Sequence, residues 1–259
     1  MKKYLFLLSA LWVFQACKKE ECPKPPCADA DLKKGLMAYY PFNGTASDAS
    51  GNGNHGVIKN GASFGTDFLG RPNRSAQFDG IDDYVIVNDN GKLNSKSISF
   101  SALVLVNNIN RRHTILNRVN FEDASAVSWG AGQSLDITNK WELAVDKPSN
   151  LCNQQYVFDP SNNISTPETM VAGRWYHILA TFGEGKQNLY IDGKLRGSKT
   201  RDFMNLKECI SSQLVIGGWW KNDIISIDGK IDEVRIYNRV ISECEINELT
   251  RMFKDAGEQ

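Results

Sequence analysis

The 259-residue chain lacks any excess of charge, because 30 lysines and arginines balance 30 aspartates and glutamates. A net charge of zero argues against broad electrostatic capture of nucleic acid. Long amphipathic helical patterns are scarce, and no repeat of 20–50 residues is visible. Glycine, by contrast, is frequent, with 21 residues. This composition favours a β architecture, and the length allows one large all-β domain or two small ones.

Several catalytic and metal-binding motifs are also missing. No Walker loop is present, and no paired CxxC or histidine-rich spacing indicates zinc. None of the histidines neighbours a Gly-x-Ser-x-Gly elbow. These absences argue against a nucleotide-binding P-loop, a zinc site and a serine nucleophile. The three histidines are His55, His113 and His177.

The first residues carry an apolar run that is too short to span a bilayer. Lys2 and Lys3 precede the run Tyr4–Phe14, which is typical of a signal peptide. The following Phe14-Gln-Ala-Cys17 resembles the lipobox of bacterial lipoproteins, and that resemblance implies lipidation of Cys17. The alternative is an ordinary signal peptide followed by a chance cysteine.

A charged, proline-rich segment follows Cys17. Residues 17–34 cannot bury a core, so we expect a flexible tether. Its Lys-Lys-Glu-Glu run resembles an export signal of surface lipoproteins in some Gram-negative bacteria. The expected location is therefore the bacterial outer membrane, with a lipid anchor. The predicted organisation is a signal peptide (1–16), the tether (17–34), a domain (35–254) and a tail (255–259).

Five cysteines remain beyond the lipid site, and an oxidising compartment favours disulfides. Cys152 and Cys209 form the preferred pair, because both lie in polar, loop-like stretches. Cys27 with Cys244 is a second pairing if the termini meet. Because five is odd, at least one thiol is left over or pairs between chains. The partner of Cys22 stays open.

Short alternating segments dominate the rest of the chain. Ser97–Val106 and Arg174–Phe182 alternate as half-buried strands do. Leu189–Leu195 predicts a hairpin with an Asp-Gly turn. One helix is predicted from Ser242, which forms a capping box with Glu245. About a dozen strands therefore predict an all-β, two-sheet antiparallel sandwich; the other strands are expected at 36–42, 75–80, 83–88, 113–119, 126–129, 135–138, 141–145, 213–217 and 231–238.

A stretch near the C-terminus, Asp228–Val240, reads as a turn and then a strand. Strict alternation from Ile231 places Asp232 on the same face as Val234 and Ile236, which is the expected core face. A carboxylate there is costly without a partner. The sequence therefore predicts that Asp232 is paired.

Five motifs together resemble the LamG-like jelly-roll domains of the concanavalin A-like lectin and glucanase superfamily. The resemblance covers about Leu36 to Phe253 and implies a two-sheet jelly roll with one short C-terminal helix. It implies function only loosely, because that fold hosts lectins, protein-binding modules and glucanases. The motifs are Leu36-x-Ala-Tyr-Tyr-Pro-Phe-Asn-Gly with Asp48-Ala-Ser-Gly-Asn-Gly-Asn, Ala76-Gln-Phe-Asp-Gly-Ile-Asp-Asp-Tyr, Trp175-Tyr-His-Ile, Leu189-Tyr-Ile-Asp-Gly and Asp228-Gly-Lys-Ile-Asp-Glu-Val-Arg-Ile-Tyr-Asn-Arg-Val.

The resemblance also implies a structural calcium ion where the N-terminal loop meets the last core strand. Asp48 and Asp232 are the expected side-chain ligands, with the amide oxygen of Asn52. Backbone carbonyls near Asn43 and in the stretch that begins at Gly51 would complete the set. The alternative is that Asp48 caps a turn and Asp232 accepts backbone N–H groups.

Carbohydrate binding needs aromatic faces with polar neighbours. Trp219 and Trp220 follow a predicted strand, with Asn222 and Asp223 beside them, so these four are the expected ligand contacts. The alternative is that one or both tryptophans cover the sandwich. Trp129 and Trp141 are second choices.

Glucanase chemistry would need two carboxyl groups across the scissile bond. On glucanase members they come from a Glu-x-Asp-x-x-Glu strand, and the closest stretch here, which contains Asp232 and Glu233, has no second glutamate. Glu142 alternates with apolar neighbours and is expected to be a lone outward carboxylate. We therefore expect a non-catalytic extracellular module that recognises carbohydrate. The alternatives are a protein-interaction or adhesion module and, last, a glycoside hydrolase.

Overall fold

The computed structural model describes residues 30–133, 139–148, 151–156 and 159–257, and within them the chain forms fifteen strands and one α-helix. The expected two-sheet antiparallel sandwich is confirmed. The elements are β1 (Leu36–Tyr40), β2 (Val57–Lys59), β3 (Ser63–Gly65), β4 (Ser75–Asp79), β5 (Tyr84–Val87), β6 (Ile98–Val106), β7 (Thr114–Val119), β8 (Trp129–Gln133), β9 (Trp141–Val145), β10 (Asn163–Ser165), β11 (Trp175–Gly183), β12 (Lys186–Ile191), β13 (Lys194–Thr200), β14 (Gln213–Ile216), β15 (Asp228–Tyr237) and α1 (Glu243–Gly257).

The two sheets have eight and seven strands. The eight-stranded sheet runs β13-β12-β11-β6-β15-β4-β3, with β1 also paired to β15. The seven-stranded sheet runs β10-β9-β8-β7-β14-β5-β2. All the pairings are antiparallel, and strands that are distant in the chain lie side by side, as a jelly roll requires.

The core lies between the sheets and follows the period of two that strands impose. On β11, Tyr176, Ile178, Ala180 and Phe182 belong to the main core cluster, as the alternation predicted. Glu142 lies between the core residues Trp141 and Leu143, so its side chain is on the outer face as expected.

Helix α1 covers part of the outer face of the eight-stranded sheet. Ile246 and Leu249 pack with Leu179 of β11 in a separate apolar cluster. The predicted capping box is present, because Ser242 N donates to Glu245 Oε2 at 2.7 Å and Glu245 N donates to Ser242 Oγ at 3.3 Å. No helix in the described residues is both long and apolar enough to cross a membrane.

Strand β15 departs from the strict alternation that the sequence predicted. Its register shifts between Asp232 and Arg235, and Glu233 has a positive φ of 53°. This bulge inserts an extra residue, so the core residues are Ile231, Val234 and Ile236. The prediction that Asp232 shares the core face with Val234 was therefore wrong. The predicted turn at residue 228 is also wrong, because β15 begins there.

Other differences concern short elements. Strands β2, β3 and β10 have three residues each and were not predicted. The strand expected at 126–129 begins at Trp129 instead, and the strand expected at 135–138 lies outside the described residues. A strand of three residues carries too little alternation to stand out from a loop.

The predicted disulfide between Cys152 and Cys209 is confirmed. It joins the segment 151–156 to the loop that precedes β14. The predicted roles of Cys17, Cys22 and Cys27 lie outside the described residues. The pairing of Cys244 with Cys27 therefore stays a prediction.

A buried ion pair crosses from the loop after β5 to β7. Arg118 donates to both carboxylate oxygens of Asp89, at 2.5 and 2.8 Å, and both side chains are buried. Asp89 also accepts a hydrogen bond from Leu93 N at 2.7 Å. Such a bidentate pair fixes the geometry of both partners.

Candidate functional site

A tight turn after β14 presents the two adjacent tryptophans. Trp219 N donates to Ile224 O at 2.5 Å, and Asp223 N donates to Trp220 O at 3.1 Å. The backbone is therefore extended through both tryptophans, and successive side chains of an extended chain point to opposite sides. The turn consequently separates Trp219 from Trp220.

Trp219 lies on the outer face of the seven-stranded sheet. It packs on an apolar cluster that includes Val127 and Val215, and its ring meets the ring of Tyr156 edge-on, with centroids 5.8 Å apart. Together Trp219 and Tyr156 form one wall of a groove of about 260 Å³. We call this the sheet groove; its other lining residues include Arg112, His113, Asn117, Gly130, Gly132, Glu142, Asn163 and Asp223.

Part of the floor of the sheet groove consists of backbone without side chains, because β8 has glycines there. A Cβ on Gly130 would collide with Asn117 Oδ1, and a Cβ on Gly132 would collide with the carbonyl of His113. Asn117 Nδ2 is held by a 2.9 Å bond to the carbonyl of Gly218. These close approaches keep the central strands free of side chains that would fill the groove.

Polar groups line the rest of the sheet groove. Asn163 Nδ2 donates to Glu142 Oε2 at 3.2 Å, and Arg112 pairs with Asp223 at 3.3 Å. His113 is buried, and burial lowers its pKa, so the ring is neutral at physiological pH. The groove thus combines aromatic surface with amide, carboxylate and guanidinium groups.

The predicted ligand set is divided between two places. Trp219 and Asp223 line the sheet groove. Trp220 and Asn222 line a separate open depression of about 430 Å³, where Lys221 pairs with Glu122 at 2.5 Å. The sequence did not identify Tyr156, Asn117 or Asn163, because only the tertiary fold brings them to Trp219.

The second-choice tryptophans are core residues. Trp129 and Trp141 are each 2 % exposed. Trp129 stacks on Phe100 with centroids 5.2 Å apart, and Trp141 meets Tyr176 edge-on at 5.4 Å. The suggestion that Trp129 contacts a ligand was therefore wrong. Trp141 touches a second cavity, described below.

The loop predicted to bind calcium is held by its own hydrogen bonds. Asp48 Oδ1 accepts from Tyr39 N and Ser50 N, and Oδ2 accepts from Asn54 N, at 2.8 to 3.0 Å. Burial raises the pKa of Asp48, but these bonds outweigh it and lower the pKa overall. Asn52 directs its Nδ2, rather than its amide oxygen, to nearby backbone carbonyls. These contacts fit the alternative in which Asp48 closes a turn.

Asp232, the other expected side-chain ligand, lies on β15. It is 3 % exposed, and its carboxylate accepts a 2.7 Å bond from Glu233 N. Burial, and next the charge of Glu233, raise its pKa to about 8; Asp67 and Arg235 are its other strong electrostatic neighbours. None of these groups belongs to the loop with Asp48. In the described residues no hydrogen bond joins Asp232 to Asp48, and calcium binding stays a prediction.

Three acids do meet elsewhere in the described residues. One carboxylate oxygen from each of Asp79, Asp82 and Asp83 lies within 4.8 Å of the others, where β4 ends and the turn to β5 follows. Asp79 and Asp82 are exposed to solvent, where carboxylates stay hydrated without an ion. The cluster alone does not indicate a metal site.

A second cavity lies around the start of β11. It has a volume of about 520 Å³ and is bounded on one side by the last turns of α1. We call it the basic cleft; its lining residues include Trp141, Glu168, Arg174, Trp175, Asp192, Lys194, Arg196, Phe253 and Lys254. His177 also borders it, buried between Ser101 and Thr250, and burial lowers its pKa to about 3.

Solved structures with the same architecture come from several sources. Domain 4 of an extracellular arabinanase from Geobacillus stearothermophilus, in complex with arabinotriose, aligns with a TM-score of 0.58 and 20% identity, over 83% of this chain and 98% of that one. The botulinum neurotoxin serotype D ligand-binding domain, in complex with N-acetylneuraminic acid, aligns with a TM-score of 0.60 and 17% identity. The alignment covers 85% of this chain and 51% of that one. The binding domain of Paraclostridial mosquitocidal protein 1 aligns with a TM-score of 0.61 and 19% identity. The alignment covers 86% of this chain and 53% of that one.

At these identities the similarity shows the fold alone. The chain spans about half the length of the two toxin domains. No curated protein matches the sequence. A family model described as the concanavalin A-like lectin/glucanases superfamily matches residues 78–247, which is more than half of the chain. The chain belongs to the concanavalin A-like lectin/glucanase superfamily.

Proposed function

We propose that this domain is a non-catalytic carbohydrate-binding module and that the saccharide lies in the sheet groove. The observation that carries the proposal is the wall formed by Trp219 and Tyr156 above a glycine floor, with amide and carboxylate groups within the same groove. A sugar ring packs its C–H face on an aromatic side chain, while its hydroxyls exchange hydrogen bonds with such polar groups.

The position of the sheet groove favours a saccharide over an extended peptide. It lies mainly across β7, β8 and β9, each of which is paired on both sides, and the edge strand β10 contributes only Asn163 to its lining. A peptide that adds a strand needs an unpaired sheet edge, which in this sheet belongs to β10 and β2. Recognition in the groove must therefore use side chains.

A non-catalytic role is supported by the state of the acids. Glycoside hydrolysis needs a proton donor and a second carboxylate flanking one bond. In the sheet groove Glu142 accepts from Asn163, and Asp223 pairs with Arg112 at the rim. Asp232, whose pKa is raised to about 8, is buried and borders neither the sheet groove nor the basic cleft.

The similar structures add support of a general kind. The arabinanase domain was solved with arabinotriose, and the neurotoxin domain with N-acetylneuraminic acid. A related neurotoxin domain was solved with rat synaptotagmin II, a protein. These partners belong to those proteins, and this chain covers only about half the length of the two neurotoxin domains.

We further propose that the protein is exported and held at the bacterial outer membrane by a lipid on Cys17. The support is the sequence before and after that cysteine. Metabolic labelling with a palmitate analogue tests it, with Cys17→Ser as the control variant. A wild-type protein that takes up no label would refute the anchor.

The test of carbohydrate binding uses the pair of tryptophans. We expect a glycan array to show binding of neutral oligosaccharides, and calorimetry on the best one to give a dissociation constant. Trp219→Ala should weaken that affinity at least tenfold, about 1.4 kcal/mol. Trp220→Ala is the matched control and should leave it unchanged, because Trp220 faces the other depression.

The outcome also separates the alternatives. A clean array together with a specific protein captured from the cell envelope would favour the protein-interaction module. Release of reducing sugar from a bound glycan would favour a hydrolase. Equal losses in Trp219→Ala and Trp220→Ala would contradict the assignment of the sheet groove.

A further inference from the structure

The basic cleft has more positive than negative charge. It is lined by four cations, Arg174, Lys194, Arg196 and Lys254, and by two acids. Both acids are already paired, since Asp192 binds Arg174 at 2.6 Å and Glu168 binds Arg196 at 2.7 Å.

The net positive charge of the cleft therefore comes from Lys194 and Lys254. In the described part of the chain neither Lys194 nor Lys254 has a carboxylate partner, and both are exposed. His177 adds no charge, because its lowered pKa keeps the ring neutral. In a chain with a net charge of zero, this local excess of about two positive charges selects for an anion.

Arg174 is held in place before any ligand arrives. Its guanidinium lies over the ring of Tyr176, 4.3 Å from the centroid, and its Nη2 donates to Asp192 Oδ2. Asp192 is itself fixed, because its other oxygen accepts from His177 N at 3.0 Å. Among the described residues these bonds use only Nη2 of Arg174, which leaves further N–H donors in a fixed plane.

The cleft also has aromatic surface. Trp175 is half-buried on its wall, and Phe253 and Phe68 contact each other edge-on at its border, with centroids 5.9 Å apart. Trp141 lines the cleft, and its Nε1–H is a buried donor without an acceptor in the described residues. A buried donor of this kind is costly unless something supplies an acceptor.

We propose that the basic cleft is a second binding site, for a saccharide that carries a carboxylate group. A planar carboxylate matches the planar fork of Arg174, and Lys254 and Lys194 complement its charge. The aromatic wall with Trp175 suits the apolar face of a sugar ring. None of these residues lines the sheet groove, so this site does not depend on the function proposed for that groove.

The experiment compares acidic saccharides with neutral counterparts by calorimetry on the whole domain. The two pairs of probes are trigalacturonic acid with its methyl ester, and 3′-sialyllactose with lactose. We expect one acidic member to bind at least tenfold more tightly than its neutral counterpart. Which pair responds identifies a hexuronate or a sialate as the source of the carboxylate.

Variants locate the site. Arg174→Gln and Lys254→Gln should each weaken the acidic probe at least fivefold, and Lys254→Gln lies on an exposed helix position where folding is not at risk. Lys221→Gln removes a cation outside the cleft and is the matched control. Trp219→Ala should leave the acidic probe unaffected while it weakens the neutral glycan of the sheet groove.

Three results would overturn the proposal. The first is equal binding of each acidic probe and its neutral counterpart, including no binding of either. The second is unchanged affinity in both Arg174→Gln and Lys254→Gln with melting temperatures like the wild type. The third is loss of the acidic probe in Trp219→Ala, which would place it in the sheet groove.

Discussion

The disulfide between Cys152 and Cys209 should be a large contributor to stability and should also support the sheet groove. The two cysteines are 57 residues apart in the chain. Closing a loop of that length removes roughly 14 cal/mol/K of entropy from the unfolded chain, or about 4 kcal/mol at 25 °C. Cys152 belongs to the segment that carries Tyr156, which forms the groove wall with Trp219.

The variant for this test is Cys152→Ser combined with Cys209→Ala, since Cys209 is buried and tolerates a small apolar residue. Urea unfolding should show a loss of about 2–4 kcal/mol relative to the oxidised wild type. Affinity for the neutral glycan should fall as well, because Tyr156 loses its covalent support. Adding reductant to the variant controls for the other cysteines.

A loss below about 1 kcal/mol would refute this reasoning, since it would mean that the unfolded chain is not restrained by the link. If the free energy of unfolding falls by the predicted amount, about 2–4 kcal/mol, but the glycan affinity is unchanged, only the predicted effect on binding is refuted. In that case the packing of Tyr156 on Trp219 would suffice to hold the wall.

Three further predictions concern single side chains. Arg118→Met leaves Asp89 buried without its cation, and the free energy of unfolding in urea should fall by about 3–5 kcal/mol. A smaller fall in the double variant Arg118→Met with Asp89→Leu would support the unpaired buried charge as the cause. Burial raises the pKa of Glu245, but the hydrogen bonds from Arg239, and next those from Ser242, outweigh it and lower the pKa from 4.5 to about 2. Glu245→Gln should therefore lower the melting temperature at pH 7, and the difference should vanish as the pH falls from 4.5 towards 2, because the stabilisation needs the ionised group; a difference that persists at pH 2 would contradict this. Gly130→Ala forces a Cβ against Asn117 and should cost about 1–3 kcal/mol and weaken the neutral glycan, as thermal unfolding and calorimetry would show.

Much of the fold could be predicted because local and global signals agree. The alternation in Arg174–Phe182, the Asp192–Gly193 turn and the capping box at Ser242 all appear in the structure as expected. Each depends on residues within one strand, one turn or one helix end. Such signals survive in the sequence because the residues that make them are neighbours in the chain.

The bulge in β15 could not be predicted for the opposite reason. Glu233 adopts a positive φ, a conformation that is usual for glycine or asparagine. The residue type at position 233 therefore does not predict the bulge. Its side chain is held by Tyr39 of β1, whose hydroxyl donates to Glu233 Oε2 at 2.8 Å, and by Arg235 at 2.8 Å. A contact with the first strand, almost two hundred residues earlier, stabilises the irregular backbone.

The sheet groove was only half predictable. An adjacent pair of tryptophans after a strand indicated a binding turn, but strand geometry sends the two side chains to different depressions. The facing ring, Tyr156, comes from a stretch with several prolines and asparagines that carries no periodic pattern. The disulfide near Tyr156 was predicted, but the contact between Tyr156 and Trp219 depends on the tertiary fold and does not follow from the residues around either ring.

The described chain begins on the side of the domain opposite the sheet groove. Residues near Asp31 and Lys34 are bound by Arg239, which also pairs with Glu245 at the start of α1. The chain therefore enters the domain at the eight-stranded sheet, on the side of the helix. The sheet groove lies on the outer face of the other sheet. If Cys17 carries a lipid, the thirteen or so residues between it and the domain reach at most about 45 Å. If these residues form the proposed tether, its attachment lies on the helix side and the sheet groove lies on the opposite face, so the anchor would leave the groove open to an extracellular glycan.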